Sequence, residues 1–205
     1  MTMLRELREP TVEEASENLR VIRELMERST RYSTFSGLSG VLAGAASIAG
    51  CLVTQHIESG TTDSTPSPLP FLLTWAAVML FAIGCDYLLT KRHAARVGKR
   101  ILSRLGKQMA FAAVPGLASG ALLTLLLLRH HLLGEIYGVW MLCYGIAVCA
   151  VGLFSQREVK YLGAAFLAAG ALALLVPRFG LATMALSFGG FHIVYGIAMA
   201  RKDGW

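Results

Sequence analysis

Apolar positions in this chain run in long unbroken blocks, with charged and polar positions gathered between them. Six blocks come close to the roughly 18–20 residues a helix needs to cross a hydrocarbon layer. They are Ser33–Thr54, Leu69–Thr90, Met109–Leu128, Ile136–Phe154, Val159–Val176 and Leu181–Ala200. A buried soluble core accounts for one or two such runs, not for six in 205 residues. The pattern predicts an all-α integral membrane protein, with a six-helix transmembrane domain over residues 33–203 and a cytoplasmic amphipathic helix in residues 1–32.

The polar start has its own logic. Thr11-Val12-Glu13-Glu14 reads as a capping box that opens a helix to about Thr30. Val12, Ala15, Leu19, Ile22 and Met26 step by three and four, and Arg20/Glu24, Arg23/Glu27 and Glu24/Arg28 stand four apart. The stripe suits a helix lying against its own protein or the bilayer in preference to a short dimerising seam, for which three heptads are too few. No brief apolar segment after a basic start precedes the first span, so that span is expected to act as its own insertion signal.

Charge adds orientation. Of the 19 Lys and Arg, all but Arg129 and Arg178 fall on the side that holds the N-terminal segment, the 91–108 loop, the 155–158 loop and the C-terminus. The positive-inside rule then puts both termini in the cytoplasm of a multi-pass plasma-membrane protein, here a bacterial inner membrane. The same asymmetry explains the net charge of +6, so nucleic acid is not needed as a partner. Lys91, Arg92, Arg96, Lys99, Arg100, Arg104 and Lys107 carry no acid among them, and Val97, Ile101 and Leu105 recur every four residues. This predicts a basic amphipathic helix over 91–107, a surface for anionic lipid headgroups or an acidic cytoplasmic partner.

The 55–68 segment reads as an exposed external loop, and Trp75, Tyr137 and Trp140, with Tyr32, Phe154 and Tyr161 opposite, as interfacial aromatic belts. The spans fall into three hairpins, 33–90, 109–157 and 159–203, with FAIG, YGIA and YGIA at 81–84, 144–147 and 195–198. This suggests a parallel pseudo-threefold repeat. Glycines recur every seven residues: Gly37/Gly44, Gly138/Gly145/Gly152, Gly163/Gly170 and Gly189/Gly196, with GxxxG at Gly40–Gly44 and Gly116–Gly120. Such stripes predict a tightly packed bundle, and an oligomer of like chains.

Candidate chemistry is sparse. Gly189, His192 and Gly196 share one helical face with Tyr195 beside them, so His192 is expected to look into the glycine seam. It is either a neutral imidazole hydrogen-bonded to Tyr144, Tyr195 or a serine, or a proton-responsive or ligand-binding group. Asp86 is the one acid inside a span and is expected to take a cation from the basic loop. Outside, His56, His130, His131 and Glu135 share a side and offer a zinc alternative without standard ligand spacing. Cys51, Cys85, Cys143 and Cys149 read as small apolar fillers. With one intramembrane histidine, a bis-histidine haem within the chain is disfavoured, and no cofactor is expected. No phosphate loop, HExxH or Ser/His/Asp set is present.

The segment FLAAGALALLVPRFGLATMALSFGGFHIVYGIAMA resembles the repeated span pairs of small bacterial six-span membrane proteins, including the HdeD-type acid-resistance proteins. The charged N-terminal helix and the basic 91–107 loop depart from that pattern, and no functional residue is carried over. The residues point to a non-enzymatic membrane protein, a small sensor or scaffold acting through its cytoplasmic basic and amphipathic helices. The competing reading is a small proton- or cation-linked transporter or channel using His192 and Asp86.

Overall fold

The computed structural model describes residues 11–29, 36–60, 68–96 and 104–203. All of the regular structure among them is helical. The chain divides into two units, residues 1–31 and residues 32–205.

The first unit contains α1, Val12–Ser29. Its start is a reciprocal cap: the Thr11 backbone N–H donates to Glu14 Oε2 at 2.9 Å and the Glu14 N–H to Thr11 Oγ1 at 3.2 Å. Arg20 pairs with Glu17 one turn back at 2.8 Å. The side chains of residues 22–29, and with them the expected pairs at 24, 27 and 28, lie outside the described residues.

The second unit holds α2 (Gly37–Gly60), α3 (Leu69–Arg96), α4 (Arg104–Arg129), α5 (Leu133–Val151), α6 (Arg157–Leu175) and a composite last span. That span runs through a 3-10 turn at Pro177–Phe179, α7 (Gly180–Met184), a π segment over Ala185–Phe191 and α8 (His192–Asp203). Six helices are thus long and apolar enough to cross a membrane, as the hydropathic blocks predict.

Glycine stripes position these helices. A Cβ on Gly145 would stand 3.0 Å from the Gly163 carbonyl, and one on Gly170 would stand 2.8 Å from the Leu142 nitrogen. The second glycine-lined pair is α2 with the last span. There Gly37 abuts the Gly196 carbonyl, and Gly44 lies under the Gly189 carbonyl, 2.6 Å from where its Cβ would sit. In each pair, two glycines seven apart on one helix oppose two glycines seven apart on an antiparallel partner. A side chain at these places would collide with backbone, which cannot give way. α4 joins the α5 face by a closer repeat, Gly116 and Gly120 against Ala147 and Cys143.

α3 leans on α2 through Val78 and Trp75 over Gly50. α3 and α4 turn Leu73, Leu80, Ile83 and Leu88, and Phe111, Leu122 and Leu125, outward, as lipid-facing helices do. The core between α2, α5, α6 and the last span is built from Cys51, Tyr137, Met141, Phe166, Ala173 and Met184.

Several boundaries differ from the sequence reading. α2 continues to Gly60, so the first part of the expected 55–68 loop is helical. Lys91–Arg96 extend α3, and Arg104–Lys107 are the first turn of α4. Residues 97–103 lie outside the described residues. Two of the outer belt aromatics turn inward. Tyr137 is 4% exposed and donates to Glu58 Oε1 at 2.5 Å, and Trp140 Nε1–H donates to Thr124 Oγ1 at 2.8 Å. Trp75 packs on the core with its Nε1 buried and unpaired. A polar tip that finds a partner within the bundle gains more there than at the rim.

The antiparallel pairings gather Lys91, Arg92, Arg104, Lys107, Arg157, Lys160, Arg201 and Lys202 at one end of the bundle. Arg129 and Arg178 are at the other. Lys202 closes the basic end by donating to Glu158 at 2.7 Å and Gln156 at 3.0 Å. Glu158 sits in the first turn of α6, where a carboxylate also suits the helix dipole.

The glycine contacts make a direct prediction. Gly37→Ala or Gly196→Ala should cost about 1–3 kcal/mol, the range for overpacking. Gly84→Ala, with nothing within 4 Å, should be neutral or slightly stabilising. Denaturant unfolding in micelles measures both; equal behaviour of the three variants would contradict the seam.

Candidate functional site

The chemistry gathers in one polar layer, roughly a turn or two below the basic end. Its centre is His192, the first residue after the π segment. α5 supplies Tyr144, whose hydroxyl lies 2.7 Å from His192 Nε2. Two aromatic rings close around the pair. Phe188, one turn earlier on the same span, stacks on the imidazole with centroids 6.0 Å apart and planes at 14°. Phe166 of α6 meets the imidazole edge-on at 5.4 Å and Tyr144 at 4.7 Å. Tyr144 and Phe188 are 4.9 Å apart.

The other imidazole nitrogen, Nδ1, is buried without a hydrogen-bond partner in the structure. Which of Tyr144 and His192 donates follows the tautomer of the ring, and in either case the contact ties α5 to the last span.

The expected orientation of His192 needs correction. Gly189 and Gly196 do face α2, but His192 contributes only its backbone carbonyl to that seam, against Gly40. Its ring points the other way, to α5 and α6. His192 and Gly196 stand one regular turn apart in α8, so the difference lies in the direction the side chain takes from its Cα.

Asp86 forms the other half of the layer. Ser39 Oγ of α2 lies 2.8 Å from Asp86 Oδ1, and Thr90 Oγ1, one turn on, lies at 3.5 Å. Ser39 Oγ is also 2.8 Å from the Ser36 carbonyl. Among the described residues the partners of Asp86 are hydroxyls, and Lys99 and Arg100 of the loop expected to supply a cation lie outside them. Lys91, five residues on, instead lies over the Tyr87 ring at 5.9 Å. The two halves are near enough to feel one another, because Tyr144 interacts electrostatically with both Asp86 and Tyr195. His192, Tyr144, Tyr195 and Asp86 therefore occupy a common region, although Asp86 and His192 do not bond.

The remaining candidates scatter. Lys91, Arg92, Arg104 and Lys107 flank the basic end on α3 and α4, and Arg96 closes α3. Lys99 and Arg100 lie outside the described residues. The external histidines do not assemble: no group of three His, Cys, Asp or Glu comes within metal-holding range among the described residues, so His56, His130, His131 and Glu135 make no such site. His130 and His131 form the α4–α5 turn, His131 with a positive φ of 58°. The four cysteines are free thiols.

Sequence reasoning overlooked Ser36, Ser39, Thr90, Phe166 and Phe188. Phe188 stands four residues before His192 and Thr90 four after Asp86, a spacing that signals adjacency. Nothing local marks Phe166 or Ser39, which arrive from other helices. No protein-family model, curated protein or solved structure matches the chain, so the geometry alone carries the functional argument.

Tyr144→Phe should destabilise the bundle by about 0.5–2 kcal/mol, the range for hydrogen bonds between membrane helices. Adding His192→Phe should cost less than the sum of the two single changes, since the orphaned nitrogen goes with it. A double-mutant cycle on unfolding free energies reads the coupling, and strict additivity would contradict the bond.

Proposed function

We propose that this is a non-enzymatic, multi-pass membrane protein that works as a small sensor or scaffold, passing events in its polar layer to a basic cytoplasmic face. One observation carries the reading. Eight basic residues share one end of the bundle, immediately beyond the layer that holds Tyr144, His192, Tyr195 and Asp86. By the positive-inside rule that end is cytoplasmic, and in a bacterium the membrane is the inner one. Near an anionic leaflet each of these cations adds about 1 kcal/mol of attraction. Lipid headgroups are therefore the first partner, with a cytoplasmic protein engaging the amphipathic α1 as the second. The outward apolar faces of α3 and α4 suit lipid and further copies of the chain.

A three-hairpin ancestry belongs to the same proposal. The FAIG and YGIA motifs all lie toward the basic end of their helices, and two of them contribute Tyr144 and Tyr195 to the polar layer. Their glycines are packed differently today: Gly84 meets open space, Gly145 meets α6 and Gly196 meets α2.

The second reading, a proton- or cation-linked transporter, is favoured by the electrostatic proximity of Asp86 to Tyr144. Against a path through His192 stands the ring of Phe166, Phe188 and Tyr144 around it. Reversing Lys91, Arg92, Arg104 and Lys107 to Glu together should abolish retention of anionic lipid in native mass spectrometry, and deleting residues 1–31 should release any co-purifying protein. Unchanged lipid retention and an unchanged set of companions would defeat the sensor–scaffold reading. Proteoliposome flux lost in both Asp86→Asn and His192→Ala would establish the transporter instead.

A further inference from the structure

The oxygens around Asp86 pose a problem of counting. Ser39 Oγ lies 2.8 Å from Asp86 Oδ1 and 2.8 Å from the Ser36 carbonyl oxygen. A serine hydroxyl has one hydrogen to give. If Asp86 is ionised, two acceptors compete for that hydrogen, and the carboxylate is left with Thr90 at 3.5 Å, a long contact, as its other donor. A charged carboxylate so poorly supplied in an apolar layer is very costly.

No cation relieves it among the described residues. α2, the helix on which α3 packs, brings Ser36 and Ser39 to this level, while its titratable Cys51, His56 and Glu58 lie toward the opposite end. α5 brings Tyr144, and the last span brings Tyr195 and His192, whose imidazole is held on Tyr144 and does not bond Asp86. On α3 itself the neighbours are Cys85, Tyr87 and Lys91, and Lys91 is exposed and drawn over Tyr87.

One added hydrogen resolves the count. A protonated Asp86 donates from its carboxyl O–H to Ser39 Oγ, and Ser39 donates to the Ser36 carbonyl. Every close contact then has one donor and one acceptor. We infer that Asp86 is a reversible proton-binding site of the transmembrane domain, and that Ser39 is the residue that holds the proton in place. The inference rests on the six-span reading but not on the sensor role, since a transporter would use such a site equally well. It also names what the polar layer would respond to, a proton taken up or released on the basic side. Release leaves a carboxylate competing with Ser36 for the Ser39 hydrogen, and so loosens the contact between α2 and α3.

The test uses the intact protein in lipid nanodiscs and dicyclohexylcarbodiimide, which adds to protonated carboxyls in apolar surroundings. Asp86 should be modified at neutral pH, mapped by peptide mass spectrometry, and modification should fall about tenfold per pH unit once the group begins to ionise. Infrared spectra should show a protonated-carboxyl stretch that disappears in Asp86→Asn and shifts in Ser39→Ala. Wild-type protein needs no variant to fold, so the labelling stands alone. An unlabelled Asp86 with no protonated-carboxyl band at neutral pH would overturn the proposal, whether an unseen cation or water supplied the missing hydrogens. Labelling without an infrared shift in Ser39→Ala would overturn the role given to Ser39. Lipid retention by the basic face tests the sensor reading independently of either result.

Discussion

Close backbone approach is the constraint on which the rest of this structure depends. Lipid tails are as apolar as leucine, so burying leucine against leucine does little to bring one membrane helix to another. Contact surface and direct polar bonds must do it. The chain meets this with glycine facing glycine across antiparallel partners, at Gly37/Gly196 and Gly44/Gly189 in one pair and at Gly145/Gly163 and Gly138/Gly170 in the other. Leucines and phenylalanines are then free to face outward on α3 and α4, where lipid or another chain receives them.

Tight seams also decide where polar groups can sit. Thr54 and Ser47 return their hydroxyls to carbonyls one turn back, which satisfies them without a partner helix, and Thr124 does the same while accepting from Trp140 of α5. The side chains that reach across are few, and they tie one helix to another. Tyr137–Glu58 bridges α5 and α2 at one end of the bundle, Lys202–Glu158 bridges α8 and α6 at the other, and Tyr144–His192 lies between. Ser39–Asp86 joins α2 to α3, which also packs on α2 through Val78 and Trp75. Tyr144–His192 sits within the aromatic cluster around Phe166, and the other cross-helix polar bonds lie toward its margins.

Much of the architecture was legible because it depends on length and period. Six apolar blocks of membrane length give six helices, and a seven-residue glycine step marks a stripe that must meet another helix. Which stripe meets which was not legible, since that is decided by three-dimensional neighbourhood and every stripe looks alike in one dimension. The site was half legible. Tyr144 was named as a partner for His192 because few polar groups share its depth, and the two do bond. The direction of the imidazole was misjudged because a helix projection places a residue's Cα on a face and does not fix which neighbour its side chain leans toward. For Asp86, the close-packed α2 surface delivers a serine that helix-dipole reasoning does not point to, while Lys99 and Arg100 of the basic loop lie outside the described residues.

The π segment has a wider consequence. It houses one residue more than a regular turn of the same span, without a proline and without breaking the helix axis into separate rods. The surplus lets the two halves of one rod keep separate appointments, Met184 with the central core and Gly196 with α2. Were that surplus handed along to the neighbouring turn, the part of the rod it crossed would swivel about its own axis while remaining helical. The imidazole, next in line after the surplus, would be the first ring to leave its tyrosine.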